Sequence, residues 1–295
     1  MTAEAGDIRA IKARRGRIES AWRVLKTAPF SAWLGMIIIA IYVFCAVFAP
    51  WIAPYGEAEI VGNAYQPSSA EFWLGTDQIG RDIFSRLIYG ARNTIGIALI
   101  TTLLSFAIGG TLGVFAAIHR GGWLDQILSR LVDALMSIPT LIFALMLLAV
   151  FGKYIAALIL ILALLDSTRV FRLARATAIN VVVMDYVEAA RLRGEGLGWI
   201  TMKEIVPNIM PPLVAEFGLR FCFVFLTISS LSFLGVGIQP PTADWGSMVA
   251  ENKSLITYGN PTPLYPAAAI ALLTVAVNFV VDWFLHRTSG LRDEH

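Results

Sequence analysis

An all-α protein that crosses a membrane six times is the fold class this chain predicts, and three observations predict it. Hydrophobic residues fill 57% of its 295 positions and charged residues only 15%, against roughly 45–50% and 25% in an ordinary soluble domain. The apolar residues gather in runs of about 20, the length that carries an α-helix across a roughly 30 Å hydrocarbon core at about 1.5 Å per residue. Lys and Arg collect in alternate connections between those runs, as they do when one side of the membrane faces the cytoplasm.

Taken in order, residues 1–32 are basic, with Arg9, Lys12, Arg14, Arg15, Arg17, Arg23 and Lys26. Ile8, Ile11, Ile18, Trp22 and Leu25 recur at helical spacing, which predicts an amphipathic helix on an anionic inner leaflet until Pro29 ends it. The neighbouring span accounts for this charge, so no nucleic-acid partner is expected. The basic region is too long and the following apolar run too complete for a cleaved signal peptide, and an uncleaved anchor is expected.

The spans fall near Trp33–Ile52, Thr94–Ile118, Leu131–Phe151, Tyr154–Phe171, Leu213–Leu234 and Leu264–Leu285. Arg120, Arg130, Arg169, Arg172, Arg175, Arg191, Arg193, Lys203, Arg287 and Arg292 lie in connections on the same side as the basic N-terminus. Opposite them, Arg81, Arg86 and Arg92 sit among more numerous acids, and Lys153 and Lys253 are isolated. Both termini are therefore expected in the cytoplasm. The organisation is a cytoplasmic segment 1–32, a first span with its external loop 33–93, a membrane core 94–286 holding a cytoplasmic loop 172–212, and a tail 287–295. Cys45 and Cys222 both fall in apolar runs and indicate neither a disulfide framework nor a metal site.

The stretch from Asp185 to Pro207 is a charged island between apolar runs. Tyr186, Val187, Ala190 and Leu192 give a short helix one apolar side; Gly194, Gly196 and Gly198 break it; Trp199, Ile200, Met202 and Ile205 resume an apolar period. Glu188-Ala189-Ala190 followed by Gly194, with Ile205-Val206-Pro207, resembles the E-A-A-x-x-x-G loop of the membrane subunits of bacterial ABC importers. In that family the short helix couples a separate ATPase to the membrane spans. The resemblance implies that Tyr186, Glu188, Ala189, Ala190, Arg191 and Gly194 form the ATPase-coupling site. The small alanines would allow close approach and Gly194 a sharp exit. Val206 stands where leucine is commoner, and Arg191, Arg193 and Glu195 make this loop more charged than usual.

Two external motifs resemble the same family. Leu74-Gly75-Thr76-Asp77-Gln78-Ile79-Gly80-Arg81-Asp82 is similar to the L-G-T-D-x-x-G-R-D loop of dipeptide, oligopeptide and nickel permeases. Its residue types make a turn: Gly75 and Gly80 give backbone freedom, and Asp77 and Asp82 can cap amides or pair with Arg81. A structural role, locking the loop onto the next span, is the expectation, with contact to substrate or an external binding protein as the alternative. Ser232-Phe233-Leu234-Gly235-Val236-Gly237-Ile238-Gln239-Pro240-Pro241, then Asp244-Trp245-Gly246, is similar to the family's S-F-L-G-x-G-x-Q-P-P…W-G segment. Its residues Gly235, Gly237, Pro240, Pro241, Asp244 and Trp245 are expected to shape an outer mouth or to form a turn.

Chemistry inside the membrane is sparse. Asp166 is the exception, since a lone carboxylate at mid-bilayer costs about 2.5–3.5 kcal/mol on insertion scales, and Arg169 one turn on is its expected partner. Glu216 and Arg220 have i,i+4 spacing. Pro139 is a hinge candidate that would kink the third span, and Gly109 to Gly113 makes a G-x-x-x-G packing step. No G-x-x-x-x-G-K-[ST] loop occurs, and His119, His286 and His295 are scattered. This predicts no enzyme, no metal and no cofactor in this chain, with ATP and Mg on partner subunits.

As a whole the resemblance implies a type I ABC importer transmembrane domain of the dipeptide, oligopeptide and nickel class in a bacterial inner membrane. It implies a heterodimer with a second homologous permease, two ATPase subunits or domains, an external substrate-binding protein and membrane lipid as partners, and alternating access as mechanism. An ion-coupled secondary transporter is the alternative; it should show internal repeats and ionisable residues along its path. No aromatic cage, acidic pocket or ligand set in the chain selects a substrate.

Overall fold

The computed structural model describes residues 28–288. The helix expected over residues 1–32 lies almost wholly outside them, as do Arg292 and His295. Helices run in the order α1 (Phe30–Val47), α2 (Ala49–Ile52), α3 (Ile83–Ile118), α4 (Trp123–Met136), α5 (Thr140–Phe151), α6 (Ile155–Val182), α7 (Asp185–Leu192), α8 (Leu197–Ile200), α9 (Val206–Phe233), α10 (Trp245–Asn252) and α11 (Leu264–Thr288). Among the described residues there is no strand beyond two isolated bridges, Ile60 to Arg81 and Thr76 to Asp82. The all-helical class is as the composition predicts.

Four helical runs among the described residues are long and apolar enough to cross a membrane: Phe30–Val47, Ile83–Ile118, Leu197–Phe233 and Leu264–Arg287. The bent pair α4 and α5 makes a fifth if it is one span. Helix α6 is 28 residues long, but Asp166, Arg169 and Arg172 interrupt its apolar run in the middle.

Several boundaries differ from those expected. Helix α3 starts at Ile83, eleven residues before Thr94, because Asp82 caps it by accepting from Ser85 N at 2.8 Å. The single kinked span expected over Leu131–Phe151 is two helices meeting at 90°. Pro139, the hinge candidate, stands as the N-cap of α5, where its missing N–H costs nothing. The run expected to end at Phe171 continues to Val182, since helical propensity does not stop where apolarity does. The second helix of the charged island is not separate either. Helix α8 passes through a π-turn (Thr201–Ile205) straight into α9. Pro207 comes just after the π-turn within this continuous run, and Pro211 and Pro212 lie farther inside it.

The core is built around α3 and α6. Gly109 and Gly113 let their backbones nearly touch: a Cβ added at Gly113 would lie 2.7 Å from Phe171 O and 2.9 Å from Ala174 Cβ, and one at Gly109 would lie 2.8 Å from Val170 Cβ. Around this pair Leu148, Leu158, Phe225, Ile228, Leu231 and Trp245 form one buried cluster. A second cluster lies beneath α7.

Candidate functional site

Helix α7 is seated rather than suspended. Its Val187 and Ala190 are fully buried with Ile200, Ile205 and Ile209, against Val114 and Ala117 of α3 and Ala174 and Ala178 of α6. Apolar contact over this second cluster therefore ties α7 to the C-terminal parts of α3 and α6 and to the start of α9. Tyr186, Glu188, Ala189, Arg191 and Leu192 remain exposed. Of the two alanines expected at the coupling site, Ala190 faces inward and is fully buried, whereas Ala189 lies on the exposed face.

The end of α7 is a Schellman cap. Gly194 N donates to Arg191 O at 2.9 Å and Glu195 N to Ala190 O at 3.2 Å, with Gly194 at φ +82. Open space surrounds Gly194, so only its backbone conformation, and no close approach within this chain, requires glycine there. Asp185 and Glu188 stand in the first turn, where negative charge suits the helix N-terminus. Leu197, Trp199 and Met202 are exposed just beyond. The result is a rigidly based tip with an apolar and charged outer face.

Across the molecule, the loop before α3 is locked by a buried ion network. Asp77 accepts from Ile79 N and Arg81 N at 3.0 Å, from Arg81 Nε at 2.6 Å and from Arg86 Nη1 at 2.5 Å. Glu251 of α10 accepts from Arg81 Nη2 at 3.0 Å and Arg86 Nη1 at 2.8 Å. Burial, the largest single influence, raises the Asp77 pKa, but the two backbone donors and two guanidinium groups outweigh it and hold the carboxyl below the usual range. Gly75 and Gly80 both take positive φ, and Asp82 caps α3. The loop thus grips α10 as well as the next span, which the sequence reading missed for want of any local signal linking Asp77 to Glu251. Arg86 was missed too, although it lies one turn into α3.

The segment after α9 divides in two. Gly235 closes α9 in another Schellman cap, with Gly235 N to Ser232 O and Val236 N to Leu231 O both at 3.0 Å. Pro240 and Pro241 are exposed and Gly237 is buried. Asp244 and Trp245, expected to shape a mouth or to form a turn, are buried. Asp244 caps α10 through Ser247 N at 2.8 Å and accepts from Thr94 Oγ1 at 2.9 Å; Trp245 Nε1 donates to Leu87 O at 2.9 Å. The Trp245 ring stands edge-on to Tyr42 and Phe225.

Asp166 meets more than its expected partner. Arg169 Nη1 is 4.0 Å away, Arg220 Nη1 of α9 is nearer at 3.6 Å, and Ser105 Oγ donates at 3.0 Å. Arg220 Nε also lies 2.7 Å from Glu216. A ladder on α6 continues the pattern inward: Arg172 pairs with Asp133 at 2.6 Å, and Arg175 grips Asp125 through Nε at 2.6 Å and Nη2 at 2.8 Å. The Arg175 hydrogen bond is the main cause of a lowered Asp125 pKa, and Arg175 is raised in turn. The three-residue rhythm of Arg169, Arg172 and Arg175 was the available signal for one helical face.

The comparisons accord with this architecture. Residues 109–288 match the model of the binding-protein-dependent transport system inner membrane component. Residues 17–67 match the N-terminal TM domain of oligopeptide transport permease C. The di/tripeptide transport system permease protein DppC of Pseudomonas aeruginosa is 34% identical over 268 residues, 88% of this chain and 85% of the relative. The glutathione transport system permease protein GsiD of Pectobacterium atrosepticum is 32% identical over 276 residues, 92% and 88% of the two chains. A solved structure of the MetNI methionine ABC transporter in inward-facing conformations shares the fold at TM-score 0.56 and 19% identity, over 67% of this chain and 93% of that one. The chain belongs to the family of binding-protein-dependent transport system inner membrane components, as a permease of the dipeptide and oligopeptide class of ABC importers and not itself an enzyme.

Proposed function

We propose that this chain is the transmembrane permease subunit of an ATP-driven importer of peptides or related small solutes in a bacterial inner membrane. It crosses the membrane six times with both termini in the cytoplasm. It encloses the substrate path with a second, homologous permease, docks on two ATPase subunits or domains that hold ATP and Mg, and accepts substrate from an external binding protein. The relatives' names supply the substrate class.

The observation that carries the mechanism is the seating of α7. Val187 and Ala190 are fully buried against α3, α6 and the start of α9 while the opposite face is exposed. A push on that face therefore moves the inner ends of three long helices together, the rigid transmission that alternating access needs. When the ATPases close on ATP, the α7 tips of both permeases approach and the spans open outward; hydrolysis resets them.

Glu188→Lys and Gly194→Trp test this in the assembled transporter. Both should abolish ATP-dependent peptide uptake while membrane insertion, measured by protease protection, is unchanged. Normal uptake by inserted Gly194→Trp protein, or uptake driven by an ion gradient without ATP, would overturn the proposal.

A further inference from the structure

Two unrelated features come together at one depth of the membrane. The first is the charge cluster of Asp166, Arg169, Glu216 and Arg220. Counting about 1.5 Å per residue from the ends of α6 at Ile155 and α9 at Phe233, its members lie about 17–26 Å along their helices, in the inner half of a roughly 30 Å core. The second is the Ser137–Pro139 break. It lies about 17 Å from the far end of α5, and Arg169 reaches it by donating to Thr140 Oγ1 at 3.4 Å.

Neither feature tolerates lipid. Charged side chains at this depth face protein or water, and irregular backbone is found there only when covered by protein or lining a cavity. Yet both are open on this chain. The Arg169 side chain is 41% exposed and Glu216 24% exposed, and Ser137, Ile138 and Pro139 are exposed as well. Arg220 and Asp166 lie behind them, 11% and 7% exposed. Arg220 is close to both carboxylates, but its Nε and Nη1 are buried without an aligned hydrogen-bond acceptor. The partly open Arg169 and the half-buried Glu216 therefore stand beside the buried Asp166 and Arg220, and the four charges sum to zero.

We infer that Arg169 and Glu216, with the break between α4 and α5, line the substrate path in the inner half of the membrane and receive the two charged ends of a peptide. Arg169 takes the carboxylate and Glu216 the ammonium group. A zwitterion adds one charge of each sign, so the cluster stays neutral with substrate present or absent. A peptide blocked at one end would leave an unbalanced charge in a poorly solvated place. This assignment rests on the proposed function and adds the residues that read the substrate.

The test uses the complete transporter, with its partner permease, ATPases and binding protein, in proteoliposomes supplied with a defined mixture of zwitterionic di- and tripeptides. In a chain carrying Cys45→Ala and Cys222→Ala, cysteines placed singly at Ile138, Arg169 and Glu216 should react with a membrane-impermeant thiol reagent, and saturating peptide should slow the reaction. Arg169→Gln and Glu216→Gln should each lower uptake roughly tenfold or more, with peptide binding to the separate binding protein unchanged. Arg169→Lys should recover part of the loss. Reaction only with lipid-soluble reagents, reaction that peptide does not slow, or normal uptake by both glutamine variants would overturn the inference and leave the permease assignment standing. Absence of ATP-dependent uptake by the unaltered transporter would remove the functional reading and this inference with it.

Discussion

At Asp77 one buried carboxylate accepts from two backbone amides and two guanidinium groups. Removing its charge leaves Arg81 and Arg86 buried with only Glu251 to balance them, and breaking a buried pair in this way costs about 3–5 kcal/mol. Asp77→Asn should therefore lower the thermal unfolding temperature of the purified protein in detergent by several degrees. The pH dependence has a definite sign. The folded Asp77 pKa lies below its unfolded value, so its contribution is fully present above the ordinary carboxylate range and is lost as pH falls through the lowered folded value. Acid unfolding of Asp77→Asn should accordingly be shallower than that of the parent. Gly194 contrasts with this. Its positive φ alone demands glycine, and Gly194→Ala should cost about 1 kcal/mol without disturbing any neighbour. Limited proteolysis of the α7 to α8 turn would register it.

Among the elements, α4 and α6 present the clearest case of architecture built by paired charge. Helix α4 leaves α5 at 90° and is held along α6 by Arg172 with Asp133 and Arg175 with Asp125. The outer pair is more than half exposed on both sides and contributes little. The bidentate Arg175 pair, with Asp125 only 5% exposed, contributes more, about 1–2 kcal/mol. Arg175→Gln should free α4, raising hydrogen exchange across Trp123–Met136 while α5 stays protected. Arg172→Gln should not. The α3 to α6 contact depends instead on the absence of side chains. Gly113→Leu would drive a side chain into Phe171 and Ala174 of α6 and should lower the yield of folded protein, measured by monodisperse recovery from detergent. In α7 the sequence named the helix and its glycine exit correctly, because caps and periodicity are local. It could not tell Ala189 from Ala190, since which side of an eight-residue helix packs inward depends on the helices beneath it.

On the scale of the whole molecule, the Asp77 network and the α7 seat lie at opposite ends of α3. Arg81 and Arg86, held by Asp77, bind Glu251 of α10 at one end of α3, and α7 rests against Val114 and Ala117 at the other. Topology follows as a prediction: a cysteine at Leu192 should be labelled by an impermeant reagent only from the cytoplasmic side, and one at Ser69 only from outside. Labelling of both from one side would refute six spans in the proposed orientation.

By itself the sequence determined that this is an all-helical membrane protein, roughly where its apolar runs lie, which family it belongs to and which loop carries the short α7 helix. These follow from composition, from runs of apolar residues and from motifs contained within a few turns, all of which act over short stretches of chain. Only the tertiary structure decided that the Leu131–Phe151 run turns through a right angle, that Glu251 balances Arg81 and Arg86, that Arg220 reaches Asp166 ahead of Arg169, and that Asp244 and Trp245 are buried. Each depends on groups 50 or more residues apart or on the packing of one helix against another, and such contacts leave no periodicity in the chain to read.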